Sequence, residues 1–331
     1  MLKRTLLVLL FAVDVVVAGG LGYLVLRKPA MAPPSAIKVE MTEARVARGK
    51  FLFERVCDCD GCHSEHDFSR FGLPVVASGR GKGLAFPPEF GLPGTVTAPN
   101  ITPDSETGIG SWTDGEKIRA IREGVDRNGR ALFPFMPYPY YRHMSDEDVY
   151  SLIAFLNTLP AIRNPMARTR LDFPVNLMIK GEPRPVGSVP EPDRRDKLKY
   201  GEYLVTIAGC AECHTPMEKG TLVESKRFAG GQTFRLAGAS VVSANITPDP
   251  DTGIGKWSEQ QFLDKFFQYR IYVEKGSPNV GPEGFTLMPW LKFSQLPSED
   301  LSAIFAYLRS QQAVYNSVEK HPESAGRKDQ S

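Results

Sequence analysis

The chain has 331 residues, of which 42% are hydrophobic and 24% are charged, so its length suits about two globular domains. Its formal net charge of +2 at pH 7 argues against nucleic acid as a partner, because nucleic-acid-binding domains carry strongly basic surfaces. Five cysteines are an odd count, and four of them fall in two short motifs.

The N-terminal stretch Thr5–Leu26 contains 22 residues and one charged side chain, Asp14. As a helix rising about 1.5 Å per residue it would span roughly 33 Å, enough for the hydrocarbon core of a bilayer. Burying Asp14 costs about 3 kcal/mol, whereas the Leu, Val and Phe residues favour insertion by roughly 6 kcal/mol. We therefore predict an uncleaved membrane anchor and a tether over residues 1–41. The alternative is a cleaved signal peptide, because Ala30-Met-Ala32 resembles a cleavage site.

Two stretches share the pattern Cys-x-x-Cys-His, namely Cys59–His63 and Cys210–His214. This pattern is the attachment signature of c-type haem. Its spacing places the sulfurs about one helical turn apart for thioether bonds to the porphyrin, and the next residue directs an imidazole at the iron. A zinc site or a redox dithiol also uses Cys-x-x-Cys, but the histidine in both copies favours haem. We predict two haem c groups, with thioethers from Cys59, Cys62, Cys210 and Cys213 and imidazole ligands from His63 and His214.

Haem c is attached to reduced cysteines on the far side of the bacterial inner membrane. The chain after Leu26 is therefore predicted to lie in the periplasm, with Lys3 and Arg4 on the inner side. The fifth cysteine, Cys57, lies two residues before the first motif. We interpret it as a buried thiol, and a redox-active thiol or an alternate iron ligand is the second hypothesis.

Local patterns predict helices around the motifs. A helical apolar pattern runs from Thr42 into the first motif, Thr113-x-x-Glu116 is a capping box, and Ser145 caps a further helix. Residues 72–110 are rich in glycine and proline and show little periodicity, which indicates loops. Seven prolines over residues 160–192 predict an interdomain linker.

The second half of the chain repeats the first. Asn245–Asp249 copies Asn100–Asp104, and Thr252–Gly255 copies Thr107–Gly110. The first cysteines of the two motifs are 151 residues apart, whereas the two asparagines are 145 apart. Order is kept while loop lengths change, which indicates duplication of one fold rather than one long core. Ser258-x-x-Gln261 repeats the capping box, and a last helix begins near Ser298.

The sixth ligand of each iron decides between an electron carrier and an open catalytic site. Met136 lies 73 residues after His63, and Met288 lies 74 residues after His214. Both precede a proline and an aromatic residue, which suits a loop that holds a thioether in place. A lone methionine is usually core filler, but the matched pair predicts iron ligation. Met144 is the rival in the first half and has no repeat partner.

Other motif residues have a structural and a functional interpretation. Asn100-Ile-Thr102 and Asn245-Ile-Thr247 match the glycosylation sequon, but their occurrence inside repeats favours turn-forming loops. Arg122 and Arg270 are candidates for bonds to haem propionates, with a solvated helix face as the alternative. The remaining histidines are predicted to lie on the surface: His66, His143 and His321.

Together these motifs resemble the class I cytochrome c fold in tandem, and more narrowly the membrane-associated cytochrome c subunits of bacterial periplasmic dehydrogenases. The resemblance covers roughly residues 45–160 and 197–312. It implies that His63 and His214 are the proximal iron ligands and that Met136 and Met288 are the distal ones. It also implies thioethers at Cys59, Cys62, Cys210 and Cys213. The sequence departs from the family in three respects. Many relatives carry three haems, Cys57 is extra, and Trp290 replaces the usual tyrosine.

The predicted fold is mostly α, with two tandem class I cytochrome c domains after an N-terminal transmembrane helix. The predicted segments are the anchor and tether (1–41), domain 1 (42–160), a proline-rich linker (161–196), domain 2 (197–312) and a polar tail (313–331). We expect the tail to be frayed. The predicted function is electron transfer from a dehydrogenase or quinol-oxidising partner to a soluble cytochrome or terminal oxidase. The alternative is a dihaem redox enzyme, of peroxidase or thiosulfate-oxidising type, in which one ligand is labile or Cys57 ligates.

Overall fold

The computed structural model describes residues 2–236, 239–281 and 284–322, and it is mostly helical, as predicted. The helices of these ranges are α1 (Leu2–Leu26), α2 (Glu43–Phe51), α3 (Cys59–His63), α4 (Asp114–Glu123), α5 (Tyr138–Tyr141), α6 (Asp146–Leu156), α7 (Val175–Met178), α8 (Lys197–Ile207), α9 (Cys210–His214), α10 (Glu259–Phe267), α11 (Arg270–Lys275), α12 (Trp290–Phe293) and α13 (Ser298–Arg309). A π-helical turn, Leu52–Val56, continues α2.

The strands are short and tie loops together. They are β1 (Leu84–Ala85), β2 (Gly94–Thr95), β3 (Thr97–Ala98), β4 (Arg170–Leu171), β5 (Met217–Glu218), β6 (Thr221–Leu222), β7 (Thr233–Leu236) and β8 (Ala239–Val242). They form antiparallel pairs β1–β3, β2–β4, β5–β6 and β7–β8. No sheet of more than two strands forms within the described ranges, so the helices provide the core.

Helix α1 is the one helix in the described part of the chain that is long and apolar enough to cross a membrane. Its apolar side chains, such as Phe11 and Val16, are exposed because little of the chain packs against them. This exposure is compatible with a lipid environment and with the predicted anchor.

The segment that follows α1 is bound to the first half of the chain. Met31 lies against Gly129, and the carbonyl of Ser35 lies against Gly115. The amide of Val39 donates a 2.9 Å hydrogen bond to the Asp114 carboxylate. Residues 29–40 therefore pack against the first half of the chain, whereas the sequence analysis interpreted them only as a tether.

Each half contains a crossing pair of helices, α2 with α6 and α8 with α13. Gly49 of α2 faces the carbonyl oxygen of Ser151, and a Cβ there would lie 1.8 Å from it. Gly201 of α8 faces the carbonyl oxygen of Ala303 in the same way, at 2.0 Å. Both crossings bring the helix backbones together where only glycine fits. The close approach gives a physical reason for the repeated glycine before each motif.

The predicted helix starts are confirmed. Thr113 and Glu116 form a reciprocal capping box at α4, and Ser258 and Gln261 form the second at α10. The Ser145 side chain accepts from the amide of Asp148 at the start of α6. These caps satisfy amides that the first helical turn leaves without partners.

The proline-rich segment 161–196 lies along the first half. The Thr97 hydroxyl donates to the carbonyl of Ala167 at 2.5 Å, and β4 pairs with β2. Further along, the amide of Asp146 donates to the carbonyl of Val189 at 2.9 Å. Proline content indicated a spacer, but these contacts make most of the segment part of the first half.

The described part of the tail, residues 313–322, also binds the rest of the chain. The amide of Val314 donates to the Thr247 hydroxyl at 3.2 Å, and the Lys320 carbonyl accepts from the amide of Val242 at 2.9 Å. The expectation of a frayed tail is therefore wrong for these residues, because the polar side chains of the repeat loop bind the backbone. Residues 323–331 lie outside the described part.

Among the described residues, most buried apolar side chains lie in one continuous cluster that spans both halves, and Ala239 and Phe285 lie in a second, small cluster. The large cluster includes Phe53 and Leu152 from the first half and Leu204 and Leu301 from the second. Each half therefore keeps its own helix pair, but the two cores are joined and not separate as the duplication led us to expect. The joined core therefore connects the two halves that carry the Cys-x-x-Cys-His motifs.

Candidate functional site

The two motifs fold in the same way. Each forms a single helical turn, α3 or α9, entered through a residue with left-handed backbone: Asp58 with φ of 48° and Gly209 with φ of 65°. The Asp58 carboxylate accepts from the amide of Gly61 at 2.9 Å, which stabilises the first turn. One turn brings the two cysteines of a motif to the same side.

A backbone carbonyl fixes each motif histidine. Nδ1 of His63 lies 2.8 Å from the carbonyl oxygen of Pro99, and Nδ1 of His214 lies 2.7 Å from that of Ala244. Nδ1 donates in these pairs, because a carbonyl oxygen can only accept. The lone pair of each ring is then on Nε2, where a metal would bind. The sequence signal for these carbonyls is their position directly before the repeated Asn-Ile-Thr.

Burial also prepares both histidines for metal binding. It lowers the pKa of His63 and of His214, and the carbonyl hydrogen bond opposes this only in part. Both imidazoles are therefore neutral near pH 7, which is the form that ligates iron.

The Asn-Ile-Thr loops have the predicted structural role. The Asn100 side chain donates to the carbonyl of Ile162 at 2.7 Å, and Asn245 donates to that of Val314 at 2.8 Å. Each asparagine oxygen also accepts from the amide two residues later. Both side chains are buried, which supports the turn interpretation over the sequon. The loops in turn hold the carbonyls that fix the motif histidines.

The motif cysteines form no disulfide with one another. Burial raises the pKa of Cys62 and of Cys210 to about 12. A catalytic dithiol needs the opposite shift, because the thiolate is the nucleophile. The protonated thiols therefore do not support the redox-dithiol alternative.

The two Met-Pro-aromatic units form matching turns before α5 and α12. The amide two residues after the methionine donates to the methionine carbonyl at 2.7 Å in both units, from Tyr138 to Met136 and from Trp290 to Met288. Both methionines are half-buried, whereas the rival Met144 is fully buried in the core. Iron ligation by Met136 and Met288 stays a prediction.

Three further residues have structural partners. Cys57 is a core residue whose pKa is raised by burial, and its carbonyl accepts from the Tyr141 hydroxyl at 2.9 Å. His66 is half-buried, and its ring nitrogens lie 2.6 and 2.9 Å from two backbone carbonyls. Arg122 is buried and pairs with Asp146 at 2.6 Å. These contacts support the core interpretation of Cys57 and differ from the surface position expected for His66.

Each motif also contacts the methionine unit of the other half. Lys292 of α12 forms an ion pair with Asp58, directly before the first motif. Tyr140 of α5 lies near Glu212, inside the second motif. The Cys62 thiol is close enough to Cys213 for that group to contribute to its raised pKa. The two motifs are therefore neighbours across the interface of the halves.

The residues present fit a porphyrin at each motif. Two thiols one turn apart and an imidazole with its Nε2 lone pair available match the attachment residues of haem c. A cavity beside Gly61 is lined mainly by apolar side chains from both halves, among them Leu84, Phe86, Phe90 and Leu287. Within the described ranges, no three His, Cys, Asp or Glu residues cluster as a multidentate metal site. Each motif offers one imidazole and two thiols.

Comparison with known proteins agrees with this donor set. The chain is 32% identical over 295 residues to the cytochrome c subunit of a quinone alcohol dehydrogenase from Gluconobacter oxydans, covering 82% of this chain and 56% of the relative. It is 32% identical over 284 residues to a fructose dehydrogenase cytochrome subunit from Gluconobacter japonicus, covering 80% and 52%. The chain spans about half the length of these two relatives.

A third relative matches nearly end to end. It is a dihaem c-type cytochrome from Cereibacter sphaeroides, 32% identical over 309 residues, which cover 91% of this chain and 96% of the relative. No protein-family model matches the chain. With the repeated motif and its fixed histidines, this similarity places the chain in the family of c-type cytochromes that includes dihaem cytochromes and the cytochrome c subunits of bacterial dehydrogenases.

Proposed function

We propose that the chain is a dihaem electron carrier anchored in the bacterial inner membrane, with its haem domains in the periplasm. Its proposed domains are class I cytochrome c units over residues 42–160 and 197–312. The observation that carries the proposal is the repeated site, in which a motif histidine is fixed through Nδ1 by a loop carbonyl. The exposed apolar helix α1 supports the anchor.

The protein's own residues hold and tune the cofactor. When bound, haem c supplies a one-electron iron couple. We propose thioethers to Cys59, Cys62, Cys210 and Cys213, with iron ligation by His63 and Met136 in the first half and by His214 and Met288 in the second. A neutral thioether ligand favours ferrous iron and raises the reduction potential. Two protein ligands on each iron leave no open position for substrate.

The interface contacts support direct transfer between the halves. The Lys292–Asp58 ion pair and the proximity of Tyr140 to Glu212 support an arrangement in which the two motifs lie side by side. We propose that one half accepts an electron and the other passes it on without leaving the molecule.

Two relatives support the proposed donor. The alcohol and fructose dehydrogenase cytochrome subunits support a dehydrogenase or a quinol-oxidising complex as the donor. The proposed acceptor is a soluble cytochrome or a terminal oxidase. Purification from membranes with bound partners, followed by mass spectrometry, tests the donor.

The haem count tests the proposal most directly. The intact protein from a host that matures c-type cytochromes is expected to carry the mass of two haems, and both are expected to be low-spin. A mass with fewer haems, or rapid carbon monoxide binding to a reduced haem, would contradict the carrier.

Matched cysteine variants sharpen this test. Cys59→Ser with Cys62→Ser is expected to lose one haem, and Cys210→Ser with Cys213→Ser is expected to lose the other. Cys57→Ser is the control, because Cys57 is buried in the core, and it is expected to keep both haems with unchanged spectra. A changed spectrum in this control would instead favour ligation by Cys57.

A further inference from the structure

We propose that residues 172–184, here called the interfacial segment, form a second membrane contact beside the point where α1 leaves the bilayer. The partner is the headgroup region of a phospholipid bilayer that contains anionic lipid. The inference rests on the proposed role of α1 as an anchor and adds a surface that orients the haem domains. Three features carry it: attachment to the end of α1, exposed apolar side chains and a surplus of cations.

The interfacial segment is attached to the C-terminal end of α1. Nζ of Lys180 donates a 2.7 Å hydrogen bond to the carbonyl of Val25, in the last turn of α1. Such carbonyls lack a helical partner, and a cation there also meets the negative end of the helix dipole. Gly181 lies against the guanidinium of Arg27, where a Cβ would be 2.8 Å from Nη1. The segment therefore lies at the level where a spanning helix reaches the headgroups.

Exposed apolar side chains lie on the same segment. Phe173 is 70% exposed and Met178 is 61% exposed, and Leu26 at the end of α1 is 80% exposed. A single exposed apolar residue needs no explanation, but these residues adjoin the exit of an apolar helix. Aromatic side chains are enriched at membrane interfaces, and short apolar faces insert at the boundary of headgroups and acyl chains. Phe173 and Met178 suit that position.

Charged residues around the segment favour anionic headgroups. Cations outnumber anions by two, which attracts an anionic bilayer surface. The cations are Arg27, Lys28, Lys180 and Arg184, and the anions are Asp172 and Glu182.

The interfacial segment is also bound to the first half. β4 pairs with β2 directly before it, and the amide of Asp172 donates to the carbonyl of Pro93 at 3.2 Å. Near its other end, the Arg142 guanidinium donates to the carbonyl of Glu182 at 3.3 Å. A membrane contact at this segment therefore places the first half next to the bilayer and sets its orientation.

Site-directed spin labelling of the haem-loaded full chain tests the inference. The variants Phe173→Cys, Met178→Cys and Tyr315→Cys are labelled separately and reconstituted into nanodiscs of anionic phospholipid with the haems reduced. Tyr315 is the control, because it is 72% exposed and lies in the second-half tail. Unsubstituted protein treated with the label is the blank, since haem attachment uses four cysteines and Cys57 is buried.

Collision of each label with oxygen and with a water-soluble nickel chelate reports its depth. Labels at Phe173 and Met178 are expected to meet the chelate several-fold less often than the label at Tyr315, and oxygen more often. Accessibilities equal to those at Tyr315 would overturn the inference. A label at Val16, in the middle of α1, separates this result from failure of the anchor, because contact of that label with the chelate would overturn the anchor itself.

A second variant excludes shielding by protein alone. Phe173→Asp is expected to increase the chelate accessibility of a label at Met178 several-fold, because a carboxylate opposes insertion. An unchanged haem absorption spectrum shows that this variant keeps its fold. Unchanged accessibility in Phe173→Asp would overturn the membrane contact.

Discussion

The Tyr203 hydroxyl of α8 donates a 2.5 Å hydrogen bond to the carboxylate of Asp148 in α6, and so joins the two halves. The same carboxylate accepts two hydrogen bonds from Arg48, at 2.7 and 2.8 Å. The hydroxyl of Tyr203 in turn accepts from the amide of Ser145 at 3.2 Å. All but the Arg48 end of this network is buried, so each lost contact leaves a polar group without a partner.

Tyr203→Phe is expected to lower the free energy of unfolding by about 1.5–3 kcal/mol, the range for a hydrogen bond to a charged group. Urea titration of the variant and the parent measures the difference. Tyr315→Phe is the control, because Tyr315 is exposed, and it is expected to change stability little. Equal midpoints for the two variants would contradict the importance of this bond.

Replacing either proposed distal methionine with leucine is expected to affect one of the two haems. That haem should lose the far-red charge-transfer band of methionine-ligated ferric haem. The variants are Met136→Leu and Met288→Leu, and redox titration should show a lower potential for the altered haem, because the thioether no longer stabilises ferrous iron. Met144→Leu makes the same change in the core and is expected to retain the full band. Loss of the band in Met144→Leu alone would transfer the ligand role to that residue.

Alanine at the helix-crossing glycines is expected to destabilise the protein by about 3 kcal/mol, near the upper end for overpacking. In Gly49→Ala and Gly201→Ala the new Cβ would meet a carbonyl oxygen at 1.8 or 2.0 Å, so the helices must separate. Thermal and urea unfolding measure the loss. Gly187→Ala is the control, with no atom within 4 Å of its Cβ, and an equal loss there would show that the crossings are not the cause.

Stability is expected to fall in acid through the repeat loops. Hydrogen bonds from the hydroxyl and amide of Thr107 lower the pKa of Asp104, and those of Thr252 lower the pKa of Asp249. A carboxyl group with a lowered folded-state pKa contributes stability above its unfolded value, about 3.9, and loses it as pH falls through the folded value. Urea unfolding from pH 7 down to about 3 should show this decline.

Asparagine at these two positions isolates that effect. Asp104→Asn with Asp249→Asn is expected to be less stable than the parent at pH 7 and to lose less stability in acid. Glu218→Gln changes an exposed carboxylate and is expected to keep the parent's pH profile. Parallel profiles for the parent and the double variant would refute the role of the loops.

The features that the sequence predicts correctly depend on residues close together in the chain. The capping boxes join residues three apart, such as Thr113 and Glu116, and the Cys-x-x-Cys-His turn is complete within five residues. Its repeat made the haem prediction specific, and relatives at about 32% identity agree with it.

The features that the sequence did not predict depend on distant backbone groups. The carbonyl of Pro99 fixes His63 across 36 residues, and a carbonyl has no residue-type signature. The linker and the tail are polar or rich in proline, so composition indicates mobility, yet their backbones bind the Asn-Ile-Thr loops. Arg122 pairs with a carboxylate 24 residues away, and no local pattern signals that choice.

Topologically equivalent contacts across the interface are chemically unlike. The first motif borders an ammonium–carboxylate pair, Lys292 with Asp58, whereas the second borders a phenol and a carboxyl group, Tyr140 with Glu212. Burial raises the pKa of Glu212, which favours the neutral form of this carboxyl group relative to an exposed glutamate. With haem bound as proposed, the two iron atoms would have different charged neighbours, and this difference would give the two halves unequal affinities for an electron.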